Sequence, residues 1–117
     1  CHTGKPSCFF TAVEAPLTFR RQDKGSGILE EIFAVIQARR REMPEGSYTA
    51  ELLTQGTGRV AQKVVEEAGE VAIGAVGGGK DDLAGGGADL LYHTLVLLAA
   101  TDLTPEDVWV ELRKRRG

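Results

Sequence analysis

From Arg59 to Ala75, apolar and charged positions separate when the chain is advanced at about 100° per residue. Val60, Ala61, Val64, Val65, Ala68, Val71, Ala72 and Ala75 share one side, and Arg59, Lys63, Glu66, Glu67 and Glu70 the other; Ile73 is the exception. The pattern predicts a helix from about Gly58 to Val76 that buries the apolar stripe and offers the charged one. Gly77-Gly78-Gly79 breaks it, and Lys80 to Ala100 is expected to return as its antiparallel partner. Asp89 to Ala100 is apolar nearly all round, the pattern of a helix surrounded by protein.

The remaining pattern is also helical. Ile28, Leu29, Ile32, Phe33 and Ile36 form one stripe of a helix over about Ile28 to Glu42, with Arg39, Arg40 and Arg41 in its last turn, where cations suit the helix dipole. Pro44 and Gly46 end it. Ser47 is placed to cap a short helix running to about Leu53, and Gln55-Gly56-Thr57-Gly58 reads as a turn. Thr104-Pro105-Glu106-Asp107 combines an N-cap, a proline at the first helical position and an acid three residues on, so a last helix is expected to about Arg115, packing Val108, Trp109 and Leu112. No strand pattern survives. The expectation is an all-α antiparallel bundle whose Val and Leu on more than one face call for a second copy.

Composition narrows the function. A chain of 117 residues allows one domain of ordinary size. A net charge of −3 gives no electrostatic case for nucleic acid. No uninterrupted apolar run approaches the ~20 residues that cross a bilayer, and no signal-like start is present, so no membrane partner is expected. A start at Cys1 rather than Met suggests a fragment or a trimmed product.

Chemistry concentrates on the charged stripe. Glu66 and Glu70 are like charges one turn apart, a mildly unfavourable pair. Crowded carboxylates settle when a cation sits among them. Hard divalent ions such as Mg²⁺ take oxygen ligands and keep waters that a phosphate can replace. An ordinary solvated acidic face is the competing reading. On the next helix Asp89 and His93 are one turn apart, and a carboxylate in so apolar a helix needs a partner, unless Asp89 is the N-cap following Gly85-Gly86-Gly87.

EExxE followed by an Asp on a second helix resembles the all-α nucleotide pyrophosphohydrolases. With SYTAELL, the Val-Glu-Glu-Ala-Gly-Glu-Val run and ADLLYHTLVLLAA, residues 25 to 117 resemble the phosphoribosyl-ATP pyrophosphohydrolases of histidine biosynthesis in particular. The resemblance implies Mg²⁺-dependent hydrolysis of phosphoribosyl-ATP to phosphoribosyl-AMP and pyrophosphate, in a cytoplasmic homodimer or higher homo-oligomer. It assigns Glu66, Glu67, Glu70 and Asp89 to the metal, with Glu67 or Glu70 as the group that takes the proton of the attacking water. Lys63, Tyr48, Thr49 and His93 become substrate-binding candidates. Lys63 also reads as an ordinary partner of Glu67, and His93 either as the group that orients Asp89 or as a buried, satisfied structural histidine.

CHTGKPSCFF resembles the C-terminal signature of phosphoribosyl-AMP cyclohydrolase, in which both cysteines bind zinc. That resemblance assigns Zn²⁺ thiolates to Cys1 and Cys8, residues 1–14 to a cyclohydrolase remnant, 15–27 to a linker and 28–117 to the hydrolase, in the order of the fused bifunctional enzyme. A catalytic zinc needs three protein ligands, so no cyclohydrolase activity is expected from this chain. The hydrolase pattern is also incomplete: its second helix ordinarily reads ExxD, and Gly86 stands where Glu is expected before Asp89. Asp82 shares that face, but lies about 10.5 Å along the axis from Asp89. Two alternatives follow, a helical oligomerisation module with weakened catalysis and a house-cleaning nucleoside triphosphate pyrophosphohydrolase.

Overall fold

The computed structural model describes residues 25–117. The described residues form five helices and no strand: α1 (Gly27–Glu42), α2 (Tyr48–Thr54), α3 (Thr57–Gly77), α4 (Lys80–Ala100) and α5 (Pro105–Arg115). The predicted cyclohydrolase-like tail over 1–14, most of the linker, and Cys1 and Cys8 with their expected zinc lie outside the described residues.

Local chemistry sets the boundaries. Met43 closes α1 in the left-handed region (φ 47), its N–H donating to the Arg39 carbonyl at 2.8 Å. Ser47 caps α2 by accepting from the Ala50 N–H at 3.1 Å. Gly56 precedes α3 at φ 96, a conformation that a side chain would strain. At α5 the Asp107 carboxylate accepts the Thr104 N–H at 2.8 Å, and Pro105 occupies the first turn, where its missing N–H leaves no hydrogen bond unmade.

α3 and α4 pack as an antiparallel hairpin, with α1 and α2 laid against it. Ile32, Phe33 and Ile36 of α1, Leu52 of α2, Val60 of α3 and Tyr92, Leu95, Val96 and Ala99 of α4 make one core. α5 is held lightly. Trp109 Nε1 donates to Glu30 of α1 at 2.6 Å, whereas Leu112, expected to pack, is 56% exposed.

One expectation is overturned in part. α3 departs from the predicted stripe over part of its length, with Val60 buried and Ala61, Val64 and Val71 half-buried as expected. Val60, Lys63 and Glu67 face inward, while Val65, Ala68, Ala72 and Ala75 from the apolar stripe are exposed. Lys63 and Glu67 pair with each other at 3.3 Å, which makes the burial of both charges tolerable. α4 is not surrounded within one chain: Tyr92, His93, Leu95, Val96 and Ala99 are buried, but Leu91 and Leu83 are exposed. At 21 residues α4 is also long and apolar enough, by length and composition, to cross a membrane, although no uninterrupted run had suggested it. Here its buried residues serve as core against α1 and α3.

Candidate functional site

The inner side of α3 meets the start of α2 and the middle of α4 in a buried polar cluster. Lys63 is 5% and Glu67 4% exposed, and their side chains pair one turn apart at 3.3 Å. Lys63 also lies 3.5 Å from Glu66, which in turn reaches Arg59 at 3.6 Å and accepts from Gln62 at 3.1 Å. Burial alone would push the Lys63 ammonium down. The hydrogen bond to Glu67 and the charges of Glu67 and Glu66 outweigh it, and the net shift is upward. Lys63 is therefore firmly cationic at neutral pH.

Two consecutive residues of α2 bond to two consecutive residues of α4. Tyr48 Oη lies 2.9 Å from His93 Nε2, and the Thr49 hydroxyl bonds to the Tyr92 hydroxyl. Ser47 starts α2 at the right point to aim both side chains at α4. The Tyr48 and His93 rings meet edge to face, with centroids 5.8 Å apart. His93 Nδ1 donates to the Asp89 backbone carbonyl at 2.7 Å. His93 thus touches the main chain of Asp89 and is a buried, satisfied histidine, held in place by the residue it was expected to orient. Burial pushes its pKa below the usual histidine range and raises that of Tyr48, leaving both neutral.

Asp89 is half-buried inside α4, which begins at Lys80 behind Gly79, so it is not an N-cap and the Gly85-Gly86-Gly87 triplet is helical. Asp82 is occupied at that start, accepting from the Gly79 N–H at 3.5 Å. Glu67 and Asp89 both act electrostatically on Tyr48 and on His93. Glu66 and Glu70 stay on the exposed flank of α3. Among the described residues no three of His, Cys, Asp and Glu converge as a ready metal site. The donor chemistry nevertheless suits a hydrated Mg²⁺, which takes one or two carboxylates and completes its shell with water and substrate phosphate rather than an all-protein cage.

Gly86 explains part of the missing acid. It faces α3 so closely that a Cβ would lie 3.3 Å from a Val71 methyl. A Glu there would need Val71 to give way by a few tenths of an ångström. Tyr92 and buried Glu31 (4% exposed) belong to the polar interior and escaped the sequence reading. Glu31 adjoins Ile32 and Phe33 in the buried stripe of α1, the one signal that could have marked it.

A family model described as phosphoribosyl-ATP pyrophosphohydrolase matches residues 29–116. The phosphoribosyl-ATP pyrophosphatase of Paramagnetospirillum magneticum is 49% identical over 92 residues, covering 79% of this chain and 84% of that protein. The histidine biosynthesis bifunctional protein HisIE of Thermotoga maritima is 41% identical over 117 residues, 99% of this chain and 57% of that protein. Its counterpart in Deinococcus radiodurans is 43% identical over 121 residues, 100% of this chain and 53% of that protein. The chain therefore spans little more than half the length of these bifunctional relatives.

Proposed function

The chain belongs to the phosphoribosyl-ATP pyrophosphohydrolase family, and from that premise we propose that it hydrolyses phosphoribosyl-ATP to phosphoribosyl-AMP and pyrophosphate in histidine biosynthesis. The family match across α1 to α5, with Glu66, Glu67 and Glu70 all present, carries the reading. Water attacks and the bond between the α and β phosphates breaks; the demands are neutralised charge and an aimed water rather than a covalent intermediate. Lys63 meets phosphate charge from within the cluster. Glu67 or Glu70 takes the proton of the water. Glu66, Glu67, Glu70 and Asp89 are the candidates from which one or two carboxylates would hold Mg²⁺, which when bound would neutralise the phosphate oxygens.

Pyrophosphate release is the test, assayed with and without Mg²⁺ for the wild type and Glu67→Gln. The wild type with Mg²⁺ should exceed both other arms by at least about 100-fold, the usual scale for losing a general base. Equal, negligible rates everywhere would favour the second reading, an oligomerisation module with weakened catalysis, which Gly86 in place of Glu supports. Faster turnover of simple nucleoside triphosphates than of phosphoribosyl-ATP would favour a house-cleaning activity.

The unit of function is proposed as a homodimer, because Val65, Ile73 and Val76 of α3 and Leu83 and Leu91 of α4 leave a large apolar surface open. The similarity of the whole chain to bifunctional relatives supports the proposal that residues 1–14 end a cyclohydrolase domain, with Cys1 and Cys8 as zinc ligands of the complete enzyme.

A further inference from the structure

The charged groups of α3 form a line from the interior to the surface. Glu67 pairs with Lys63 at 3.3 Å, Lys63 lies 3.5 Å from Glu66 Oε1, and Glu66 Oε2 lies 3.6 Å from Arg59 Nη1. The inner two side chains are 6% exposed, whereas Glu66 is 42% and Arg59 40% exposed. Arg59 stands in the first turn of α3, one turn before Lys63. Its Nε donates to Gln55 Oε1 at 3.3 Å. Gln55 closes α2, so this bond crosses the short turn between α2 and α3 and holds the guanidinium in place. At 3.6 Å the contact with Glu66 is too long for a hydrogen bond, and an exposed pair of that kind contributes little. Among the described residues the Nη1 and Nη2 hydrogens of Arg59 therefore make no hydrogen bond.

A guanidinium held at Nε and open along its Nη1–Nη2 edge suits a group with two anionic oxygens side by side. Glu66 shows where such a group fits. Its carboxylate lies within 3.6 Å of both Arg59 and Lys63, so the two cations converge on a space the size of one anion. Lys63 is enclosed with Glu67, which leaves Arg59 as the cation of this line that an arriving anion meets directly. We propose that Arg59, positioned by Gln55, binds a phosphate of the substrate's phosphate chain through its Nη1–Nη2 edge, at the outer end of the site. The inference rests on the hydrolase reading for the identity of that chain and adds a binding residue to it.

The experiment titrates wild type, Arg59→Gln, Arg59→Lys and Gln55→Leu with inorganic pyrophosphate and with AMP by calorimetry in Mg²⁺ buffer, beside kcat and KM for phosphoribosyl-ATP. Arg59→Gln should weaken one of the two probes about 10-fold, the scale of a hydrogen bond to a charged group, and raise KM by a similar factor; the probe affected identifies the phosphate held. Arg59→Lys should recover part of the loss, because an ammonium keeps the charge but lacks the fork. Gln55→Leu should lose about 3-fold, the scale of a neutral hydrogen bond, and nothing further in the Arg59→Gln background. Affinity for the same probe should fall more steeply with salt in the wild type than in Arg59→Gln. Unchanged binding of both probes by Arg59→Gln overturns the proposal, and so does an equal Gln55→Leu loss in both backgrounds. A lower melting temperature of Arg59→Gln with equal loss of both probes marks a structural role and also overturns it. Each of these results leaves the hydrolase reading intact. A wild type that binds pyrophosphate through Arg59 yet hydrolyses no phosphoribosyl-ATP removes the hydrolase reading and leaves the anion site standing.

Discussion

Lys63 and Glu67 show how burial converts an ordinary helical ion pair into a constraint. Exposed pairs one turn apart contribute a few tenths of a kcal/mol, but both these side chains are 6% exposed. Lys63→Met would leave the Glu67 carboxylate inside without its nearest cation. The expected cost is about 3 kcal/mol, the scale of breaking a buried pair, measured as a lower urea midpoint. An unchanged midpoint would mean that the pair is hydrated in solution. His93 gives the pH dependence. Its folded pKa lies below the ordinary value of 6.5 because it is buried. Between the two values the unfolded chain binds more protons than the folded one, so stability falls as pH drops through 6.5 and levels off below the folded pKa. The slope from this residue is at most about 1.4 kcal/mol per pH unit. Thermal unfolding at pH 7.5 and 5.5 should show the loss, and His93→Gln should reduce it.

At the scale of elements, the α3–α4 hairpin contains a local inconsistency. Three glycines inside α4 weaken it, since each costs on the order of 1 kcal/mol relative to Ala. Gly85 and Gly87 have open space where a Cβ would go, but Gly86 meets Val71. Gly85→Ala and Gly87→Ala should therefore each stabilise by about 0.5–1 kcal/mol. Gly86→Ala should gain less, because the Val71 contact opposes the helical gain. Chemical denaturation of the three variants gives the order, and equal gains would show that the hairpin seam yields freely. The sequence placed this triplet inside a helix from Lys80 to Ala100, with Asp89 as an N-cap behind it only as the competing reading. In the structure Gly79 takes that place, with Asp82 accepting its N–H, which leaves Asp89 in mid-helix beside the polar cluster.

On the scale of the molecule, the exposed apolar surface of α3 is the basis of the proposed dimer. Val65 is 72%, Ile73 73% and Val76 91% exposed, all on the side of α3 turned from the core. A second copy covering this face would complete the environment that the all-round apolar pattern of α4 demands. Sedimentation should give a dimer, and Val65→Glu should shift it toward monomer and make the melting temperature depend more steeply on concentration. A wild type that stays monomeric at high concentration would count against the proposed assembly. Because Val65 contributes little to the protomer core, such a shift would not reflect a damaged fold.

The sequence by itself determined the helices. Periodicity and caps are local properties, set by neighbours within a few residues, and the predicted spans for α1 to α5 agree with those found to within about two residues, the usual uncertainty of helix ends. It also marked Lys63, Glu67, Tyr48, Thr49 and His93 as a group, through the family pattern they compose. Tertiary structure decided which way α3 faces. A helical wheel separates the two stripes but cannot say which one the rest of the chain will meet, because that depends on the groups that α2 and α4 bring to the contact. Lys63 and Glu67 turn inward as a buried ion pair, whereas Val65, Ala68, Ala72 and Ala75 are left on the outside of the protomer and Val60 stays in the core.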